Sequence, residues 1–389
     1  MRYQVGGYQR RGSAQPANPV LVGPYQQVRV ARRGAGFCLL MAAETVFSSR
    51  RLLLGALAGV GALALTRWAI RAAEAAGFSF AGRTVLLTGG SRGLGLALAR
   101  RLATQGARLA LVARDAQELA RAAQELTATG ATVRIYPADL TDPAARETLL
   151  RQVELDLGPV DVLINNAGVI QVSPLTNLSA GDYARAMQIH FEAPLHLMRL
   201  VVPGMRARGV GRVINVASLG GKVAVPHMAA YSASKFALVG LGEAWATELA
   251  GTGVRVTTIC PGLLRTGSAR QAQIKGRHAE EYRWFKLAAG LPLLTMSAED
   301  AADEILRAGR RGTPVAVLGW SAQLLSALHG LAPATTVRLS SVVNHLLPAE
   351  ATDGEANPVK RGADLESPAT TNLLTTLTER AAAQLNELS

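Results

Sequence analysis

From Arg83 onwards, short apolar runs alternate with longer segments in which apolar residues recur at helical spacing. The runs are rich in β-branched residues and show no polar alternation, which is typical of strands covered on both faces. Strands that alternate with helices predict an α/β fold, a doubly wound parallel sheet of the Rossmann type with helices on both faces. The seven predicted strands are Thr84–Thr88, Ala107–Ala113, Thr132–Tyr136, Val160–Asn165, Arg212–Ala217, Val254–Cys260 and Pro314–Leu318.

These strands and their helices predict one large domain at residues 81–320. Residues 321–348 add two apolar, helix-compatible stretches that could complete the core, form a dimer contact or lie on a membrane. The polar residues 349–370 predict a linker, and residues 371–389 predict a short amphipathic helix. The six helices predicted between the strands are Gly93–Gln105, Ala116–Ala128, Pro143–Leu157, Ala180–Arg206, Ala229–Leu249 and Ala298–Gly309.

The basic character of the chain is concentrated near its N-terminus. The net charge of the 389 residues is +13, and residues 1–80 contribute +8 of it through ten Arg and two Glu. Residues 1–48, rich in Gly, Gln, Pro and Arg, are predicted to form a disordered basic extension, with Met41 as an alternative start. No basic motif with interleaved aromatic residues occurs, so an anionic membrane surface is favoured over nucleic acid as the partner of this charge.

An apolar run lies within residues 49–80, where Arg50-Arg51 precedes Leu52–Leu65. The run is shorter than the roughly 20 apolar residues that span a bilayer. A membrane anchor through residues 50–70, a cleaved twin-arginine export signal and a helix packed on the core all fit it. The Arg flanks and Trp68 favour the anchor, which would leave the following domain membrane-associated in the cytoplasm; in the alternative, the protein is exported.

Glycines follow the first predicted strand in the sequence TGGSRGLG. They permit a tight turn and a close approach of the backbone to phosphates, and the N-terminus of the next helix favours a pyrophosphate. In this strand–turn–helix context, the GxxxGxG spacing predicts a dinucleotide-binding loop. The loop residues expected to bind the cofactor are Thr88, Gly89, Ser91, Arg92, Gly93, Leu94 and Gly95.

The second predicted strand ends at Ala113-Arg114, where a site for NAD usually carries an acidic residue. Arg92, in the glycine loop, adds a second cation near the same point. Two guanidinium groups suit a 2′-phosphate, so NADP(H) is the predicted cofactor rather than NAD(H). The alternative is that both arginines are solvated surface residues.

Tyr231 and Lys235, in the sequence YSASK, lie four residues apart at the start of a predicted helix and therefore share one of its faces. A phenol has a pKa of about 10, and a nearby ammonium lowers it. The pair can thus act as a general acid and base for the interconversion of a carbonyl and an alcohol. The spacing taken alone is also compatible with chance.

Taken together, these motifs resemble those of the short-chain dehydrogenase/reductase family over residues 82–320. The Thr88–Gly95 segment is similar to the cofactor loop of that family, and Ser218 stands thirteen residues before Tyr231, like the catalytic serine of the family. Further positions match the adenine contact, the segment beneath the cofactor and the loop over the nicotinamide. They are Asp139, Leu140, Asn166, Ala167, Gly168, Pro261, Gly262 and Thr266.

The resemblance implies an oxidoreductase in which Tyr231 exchanges a proton with the substrate oxygen and Ser218 orients that oxygen. The alternative is a non-catalytic cofactor-binding or scaffold protein of the same fold. It also implies that Lys235 binds the nicotinamide ribose and lowers the pKa of Tyr231. Family members form dimers or tetramers, so a homodimer or tetramer is expected. No spacing of Cys, His, Asp or Glu indicates a metal site.

The sequence departs from the family pattern at His190. At this position the family usually has an Asn that holds a water of the proton relay. An imidazole can also donate and accept, so we predict that His190 belongs to the catalytic set. The alternative is a buried histidine whose hydrogen bonds go to the backbone.

The substrate is predicted to be a hydrophobic ketone, aldehyde or alcohol. Residues 267–296 lie where this family has its substrate lid, and they mix aromatic residues with Arg and Lys. Val223, Val225 and His227 would line the opposite wall. The alternative is that the aromatic residues of the lid only pack it against the core.

Overall fold

The computed structural model describes residues 59, 61–62, 78–291, 294–367 and 375–388. The chain divides into two units, Met1–Arg67 and Trp68–Ser389. Three residues of the first unit are described, and all are helical. The predicted disordered extension and almost all of the predicted anchor therefore lie outside the described residues. Among the residues that are described, no helix is both long and apolar enough to cross a membrane.

The predicted α/β sheet is confirmed. Its seven strands all pair in parallel, in the spatial order β3-β2-β1-β4-β5-β6-β7. Both ends of each strand lie within two residues of the predicted ends, because uninterrupted apolar runs in the sequence delimit the strands. The strands are β1 Thr84–Thr88, β2 Arg108–Ala113, β3 Val133–Pro137, β4 Val162–Asn165, β5 Gly211–Val216, β6 Val254–Pro261 and β7 Val315–Leu318.

The helices cover both faces of this sheet, so each strand is buried on two sides. Val85 and Leu87 of β1 join one core cluster, and Leu86 joins the other, because successive side chains of a strand point to opposite faces. The helices are α1 Gly93–Thr104, α2 Ala116–Ala128, α3 Pro143–Leu157, α4 Ala180–Met187, α5 Ala193–Ala207, α6 Ala229–Glu248, α7 His278–Gly290, α8 Ala298–Arg311, α9 Trp320–Leu331, α10 Pro333–Asn344 and α11 Thr376–Gln384.

The segment that was predicted as a single helix, Ala180–Arg206, is interrupted. A π-helical turn at Gln188–Glu192 separates α4 from α5. Pro194 stands just after this turn, and a proline has no N–H to continue the α-helical ladder. The turn carries His190, and π-turns inside helices are frequent at functional sites.

Helices α9 and α10 contribute little to the core. Ala322 is the single buried residue of α9 among its described residues, and Thr336 is the single one of α10. Large apolar side chains, Trp320 and Leu331 among them, are exposed instead. The interpretation that residues 321–348 complete the core is therefore wrong.

The linker predicted at residues 349–370 is also wrong, because residues 349–367 are docked on the domain. Lys360–Arg361 pairs antiparallel with Gln273–Ile274, which pairs in parallel with Gln171–Val172. The buried Asn357 accepts a hydrogen bond from the Gly276 amide at 2.8 Å. The polar residues that indicated a linker find their partners on the domain. One further short pair, Leu263–Arg265 with Thr295–Ser297, lies beyond the end of β6.

Candidate active site

Tyr231 and Lys235 lie on the first turns of α6, as their spacing predicts. Lys235 is buried, and its Nζ donates to the Val216 carbonyl at the end of β5 at 2.9 Å. The same Nζ lies 5.8 Å from the centre of the Tyr231 ring. The bond to β5 thus fixes the ammonium near the Tyr231 ring.

Burial dominates the protonation of this pair. It raises the pKa of Tyr231, and a hydrogen bond with Ser218 offsets part of that effect. Burial also lowers the pKa of Lys235 to about 8. We expected the Lys235 ammonium to lower the pKa of the phenol, but the loss of solvation outweighs any such effect here. Burial therefore favours the protonated form of the Tyr231 phenol.

Ser218 lies just beyond β5, at the start of the tight turn Leu219–Gly221. Its Oγ accepts from the Gly220 amide at 3.0 Å, which fixes the side chain. A Cβ at Gly220 would stand 3.2 Å from a Tyr231 ring carbon, so the turn passes close to the phenol. The end of β5 and the start of α6 thereby bring Ser218 and Tyr231 together.

His190 is buried beside Tyr231, with ring centres 5.4 Å apart. Its Nε2 accepts from the Val169 amide at 3.1 Å, so the ring proton is on Nδ1, which lies 2.8 Å from Ser234 Oγ. Burial and the Lys235 charge lower the pKa of His190, and the ring is neutral. Both nitrogens are engaged, so His190 connects the loop after β4 to α6.

The glycine loop connects β1 to α1 and requires its glycines. Gly89 and Gly93 have φ of +66° and +54°, the left-handed region that favours glycine. A Cβ at Gly95 would stand 1.8 Å from the Gly89 carbonyl oxygen. The Arg92 side chain, at the N-cap of α1, makes no capping hydrogen bond. The loop therefore has the close backbone path and the helix N-terminus that suit a pyrophosphate.

The loop after β4 supports the glycine loop. The Thr88 hydroxyl accepts from the amides of Asn166 and Ala167, both at 3.0 Å. Asn166 Nδ2 donates to the carbonyls of Thr88 and Gly89, both at 3.1 Å. A Cβ at Gly168 would stand 2.9 Å from His190 Nε2, so this segment joins the glycine loop to the catalytic side.

Comparison with known proteins agrees with this arrangement. Residues 83–275 match the family described as short chain dehydrogenase. D-beta-hydroxybutyrate dehydrogenase of Cupriavidus necator is 35% identical over 200 residues, which are 51% of this chain and 77% of that protein. The chain belongs to the short-chain dehydrogenase/reductase family.

Other similar proteins are reductases and dehydrogenases with different substrates in their names. Ketoacyl reductase HetN of Nostoc sp. is 40% identical over 181 residues, 46% of this chain, and the match spans 63% of that reductase. L-sorbose reductase from Gluconobacter frateurii, solved with NADPH and L-sorbose, superposes with a TM-score of 0.56 at 27% identity. The match covers 62% of this chain and 96% of the L-sorbose reductase chain. A xylitol dehydrogenase bound to NAD+ has the same TM-score and identity. That match covers 62% of this chain and 98% of the dehydrogenase chain.

The two arginines expected at a 2′-phosphate differ in their surroundings. Arg92 donates to the buried carboxylate of Glu118 at 2.9 Å, and Ser91 Oγ donates to the other oxygen of that carboxylate at 3.0 Å. Glu118 therefore already balances the charge of Arg92. Arg114, at the end of β2, is exposed. The contact of Glu118, on α2, with the loop was not predicted from the sequence.

Asp139 and Leu140, the residues predicted to contact the adenine, lie just after β3. Hydrogen bonds from Thr141 hold the pKa of Asp139 below its usual value, and the Arg114 charge contributes. Leu140 is buried and belongs to a core cluster. Asp139 is thus a carboxylate at neutral pH, fixed at the carboxyl edge of the sheet where this family binds its cofactor.

The loop predicted to lie over the nicotinamide begins at the end of β6. The Gly262 amide donates to the Leu318 carbonyl at 3.0 Å, which ties Pro261-Gly262 to the end of β7. Thr266 is buried, and its Oγ1 accepts from the Ser268 amide at 3.2 Å. Because the strands are parallel, these residues lie at the same edge of the sheet as the glycine loop.

The predicted lid is packed on the domain. Tyr282 is fully buried, and its hydroxyl donates to Glu366 at 3.1 Å. Phe285 lies in the same apolar cluster, and partly buried Tyr231 packs against that cluster. The interpretation that the aromatic residues only pack the lid fits Tyr282 and Phe285, since both are buried.

A polar group that sequence reasoning missed connects the lid to the opposite wall. Glu281, on α7, is buried; His227 Nδ1 lies 2.9 Å from one carboxylate oxygen, and Trp284 Nε1 donates to the other at 2.7 Å. His227 has a φ of 57°, an uncommon value for a residue other than glycine. Its carbonyl accepts from Ser173 at 2.7 Å, which fixes this backbone.

A segment that contacts the glycine loop was also not predicted from the sequence. Residues 382–388, which we call the docking segment, lie at the end of α11 and just after it. The Gly93 amide donates to the Leu385 carbonyl at 2.9 Å, and Asn386 Nδ2 donates to the Ser91 carbonyl at 3.0 Å. The cofactor side of the site therefore includes residues that lie almost 300 positions after the loop.

Proposed function

We propose that this protein is an NADP(H)-dependent oxidoreductase that interconverts a hydrophobic ketone or aldehyde and its alcohol. The observation that carries the proposal is the grouping of Ser218, Tyr231 and Lys235 at the carboxyl edge of the sheet, next to a glycine loop shaped for a dinucleotide. The cofactor would supply or accept the hydride when bound. The chain itself positions the substrate oxygen and moves its proton.

In the reductive direction, the Tyr231 hydroxyl donates its proton to the substrate carbonyl oxygen, and in oxidation it takes the alcohol proton. The raised pKa of Tyr231 keeps that proton in place at neutral pH. The Ser218 hydroxyl donates a hydrogen bond to the same oxygen. Lys235 would meet the nicotinamide ribose, and its charge would favour the phenolate as it forms.

Arg114 supports the choice of NADP(H), because it is an exposed cation where an NAD site usually has a carboxylate. The L-sorbose reductase was solved with NADPH and the xylitol dehydrogenase with NAD+, so relatives include both cofactors. Arg114→Asp should weaken NADPH binding about tenfold or more and leave NADH binding nearly unchanged. Arg134→Asp, an exposed arginine of β3, is the matched control. Equal losses for both nucleotides would contradict the assignment.

A hydrophobic substrate is supported by the apolar cluster against which Tyr231 packs. Val172, Met228 and Ile274 are buried members of that cluster. The test is NADPH oxidation by the full chain against hydrophobic ketones and aldehydes, with small polar sugars as the comparison set. Turnover restricted to the sugars would overturn the substrate class.

We also propose that residues 50–70 associate the protein with a membrane and leave the catalytic domain in the cytoplasm. The support is the arginine-flanked apolar run in the sequence. Fractionation of cells that produce the full chain is the test. A shortened form in an exported fraction would favour the alternative, in which Arg50-Arg51 belongs to a cleaved signal.

A further inference from the structure

The glycine loop meets the docking segment through the same groups that it would offer to a phosphate. Gly93 is the first residue of α1, and its amide donates to the Leu385 carbonyl at 2.9 Å. The first N–H groups of a helix have no partner within the helix, and the Arg92 side chain caps none of them. The docking segment therefore satisfies a donor on which an anion would otherwise depend.

Glu387 adds a carboxylate at this helix end. It is 3% exposed, and a Cβ at Gly93 would stand 2.6 Å from its Oε1. Arg92 Nε lies 3.8 Å from the other oxygen. The positive end of a helix is where an anion such as a pyrophosphate would bind, and the Glu387 carboxyl group occupies that position.

Asn386 fastens the segment between these two contacts. Its Nδ2 donates to the carbonyls of Ser91 and Glu118 at 3.0 and 3.3 Å, and its Oδ1 accepts from Arg121 Nε at 3.0 Å. Asn386 has a left-handed φ of 58°, which asparagine tolerates better than most residues. Leu385 is fully buried in the core cluster that also holds residues of α1. The segment is thus bound by directional polar contacts as well as by an apolar anchor.

We propose that the glycine loop is a binding site for the chain's own docking segment, which occupies the place of the dinucleotide pyrophosphate and must leave before the cofactor binds. This inference rests on the proposed function, since it takes the loop to be the cofactor site. One amide cannot donate to Leu385 and to a phosphate at full strength. The apparent dissociation constant for the cofactor is therefore the intrinsic constant divided by the fraction of molecules with the segment released.

The first test is calorimetric titration of NADPH into the full chain and into the Asn386→Ala/Glu387→Ala double variant. The double variant loses the contacts of both side chains, so it should bind NADPH about tenfold more tightly. Leu388→Ala is the matched control, because Leu388 is an exposed neighbour in the same segment. This control should bind NADPH as the unsubstituted chain does.

Four results are distinguishable in this titration. Tighter binding by the double variant alone supports the proposal. Unchanged binding would show that the segment is a bystander, and weaker binding would show that it clamps the cofactor; either result overturns the proposal. No binding of NADPH or NADH by any variant would remove the cofactor assignment itself, and this inference with it.

A second measurement follows the segment directly. A fluorophore attached at Leu388→Cys, in a Cys38→Ser background that leaves only the buried Cys260, reports the mobility of the segment. NADPH or inorganic pyrophosphate alone should lower its anisotropy as the segment leaves the loop. Gly95→Val, whose side chain would collide with the Gly89 carbonyl, should abolish this response. Constant anisotropy at saturating NADPH in the chain that keeps Gly95 overturns the proposal.

Discussion

The catalytic side and the cofactor side of this site are completed by different parts of the chain. Ser218, Tyr231 and Lys235 come from one continuous stretch. The Ser218 Oγ accepts from the Gly220 amide in the turn after β5, and Lys235 donates to the Val216 carbonyl at the end of β5. The glycine loop takes partners from the docking segment, almost 300 residues further along the chain. The candidate catalytic side chains are therefore positioned by elements close to one another in sequence. The glycine loop also has contacts from a distant segment, on which we propose that cofactor binding depends.

The largest expected effect tests the catalytic side. Tyr231→Phe removes the proton donor but keeps the ring, so kcat/KM should fall by about 10²–10⁴ while NADPH binding is retained. Steady-state kinetics and calorimetric titration measure the two quantities. Tyr183→Phe, on α4, is the control and should change neither. Retention of turnover by Tyr231→Phe would contradict the role of this residue as general acid and base.

The next effect tests the loop without touching the chemistry. Gly95→Ala places a Cβ 1.8 Å from the Gly89 carbonyl oxygen, so the loop must shift. We expect a loss of about 1–3 kcal/mol in the free energy of unfolding, together with loss of NADPH binding. Denaturant unfolding measures the first. Gly240→Ala, on α6 with no atom within 4 Å of the added Cβ, should instead stabilise the protein slightly.

The pH dependence of NADPH binding tests the cofactor side separately, because Glu387 lies beside the glycine loop and not beside Tyr231. Burial raises the pKa of Glu387 to about 7, opposed by Arg92 and Arg270 and assisted by Glu118. The docked segment binds the proton more tightly than the released one, so docking is favoured at low pH and weakens as the pH rises to 7. NADPH should therefore bind up to about tenfold more tightly at pH 8 than at pH 6.

Calorimetric titration at both pH values tests this expectation. The 2′-phosphate of NADPH also titrates near this range, so the informative quantity is the pH ratio of the unsubstituted chain relative to that of Glu387→Gln. The variant lacks the titrating carboxyl and should show a smaller ratio. Equal ratios would exclude Glu387 as the source of the pH dependence.

The smallest effect concerns the residue that connects the two sides. His190→Phe removes the acceptor for the Val169 amide and the contact with Ser234. Turnover should fall about fivefold, with a changed pH profile of kcat. His190→Asn, which restores an acceptor and a donor, should recover most of the rate. Full turnover and an unaltered profile in His190→Phe would make His190 a packing residue only.

Much of the fold follows from the sequence, because buried parallel strands leave unbroken apolar runs such as Thr84–Thr88. The catalytic residues were also predictable, since Tyr231, Lys235 and Ser218 lie on elements whose ends meet at one edge of the sheet. Glycine requirements such as that of Gly95 are local as well. These features depend on contacts within a motif or between neighbouring elements, which spacing records.

The remainder depends on contacts that spacing does not record. Residues 349–367 have the composition of a linker, and only their partners, such as Gly276 for Asn357, show that they dock. In the sequence, Glu118 has the pattern of an exposed acidic residue on an amphipathic helix. Only the fold shows that it contacts Arg92. The sequence shows the Lys235 charge beside Tyr231 but not the burial that raises the pKa of Tyr231.

The hydrogen bond from Gly93 to Leu385 also has a kinetic consequence. Contacts between residues so far apart in sequence close a long loop, whose entropic cost must be met before the contact stabilises anything. The docking segment should therefore form late in folding, and it should open well below the global unfolding free energy. The Gly93 amide proton should exchange with solvent at the rate of that local opening, whereas amides of β1 exchange far more slowly.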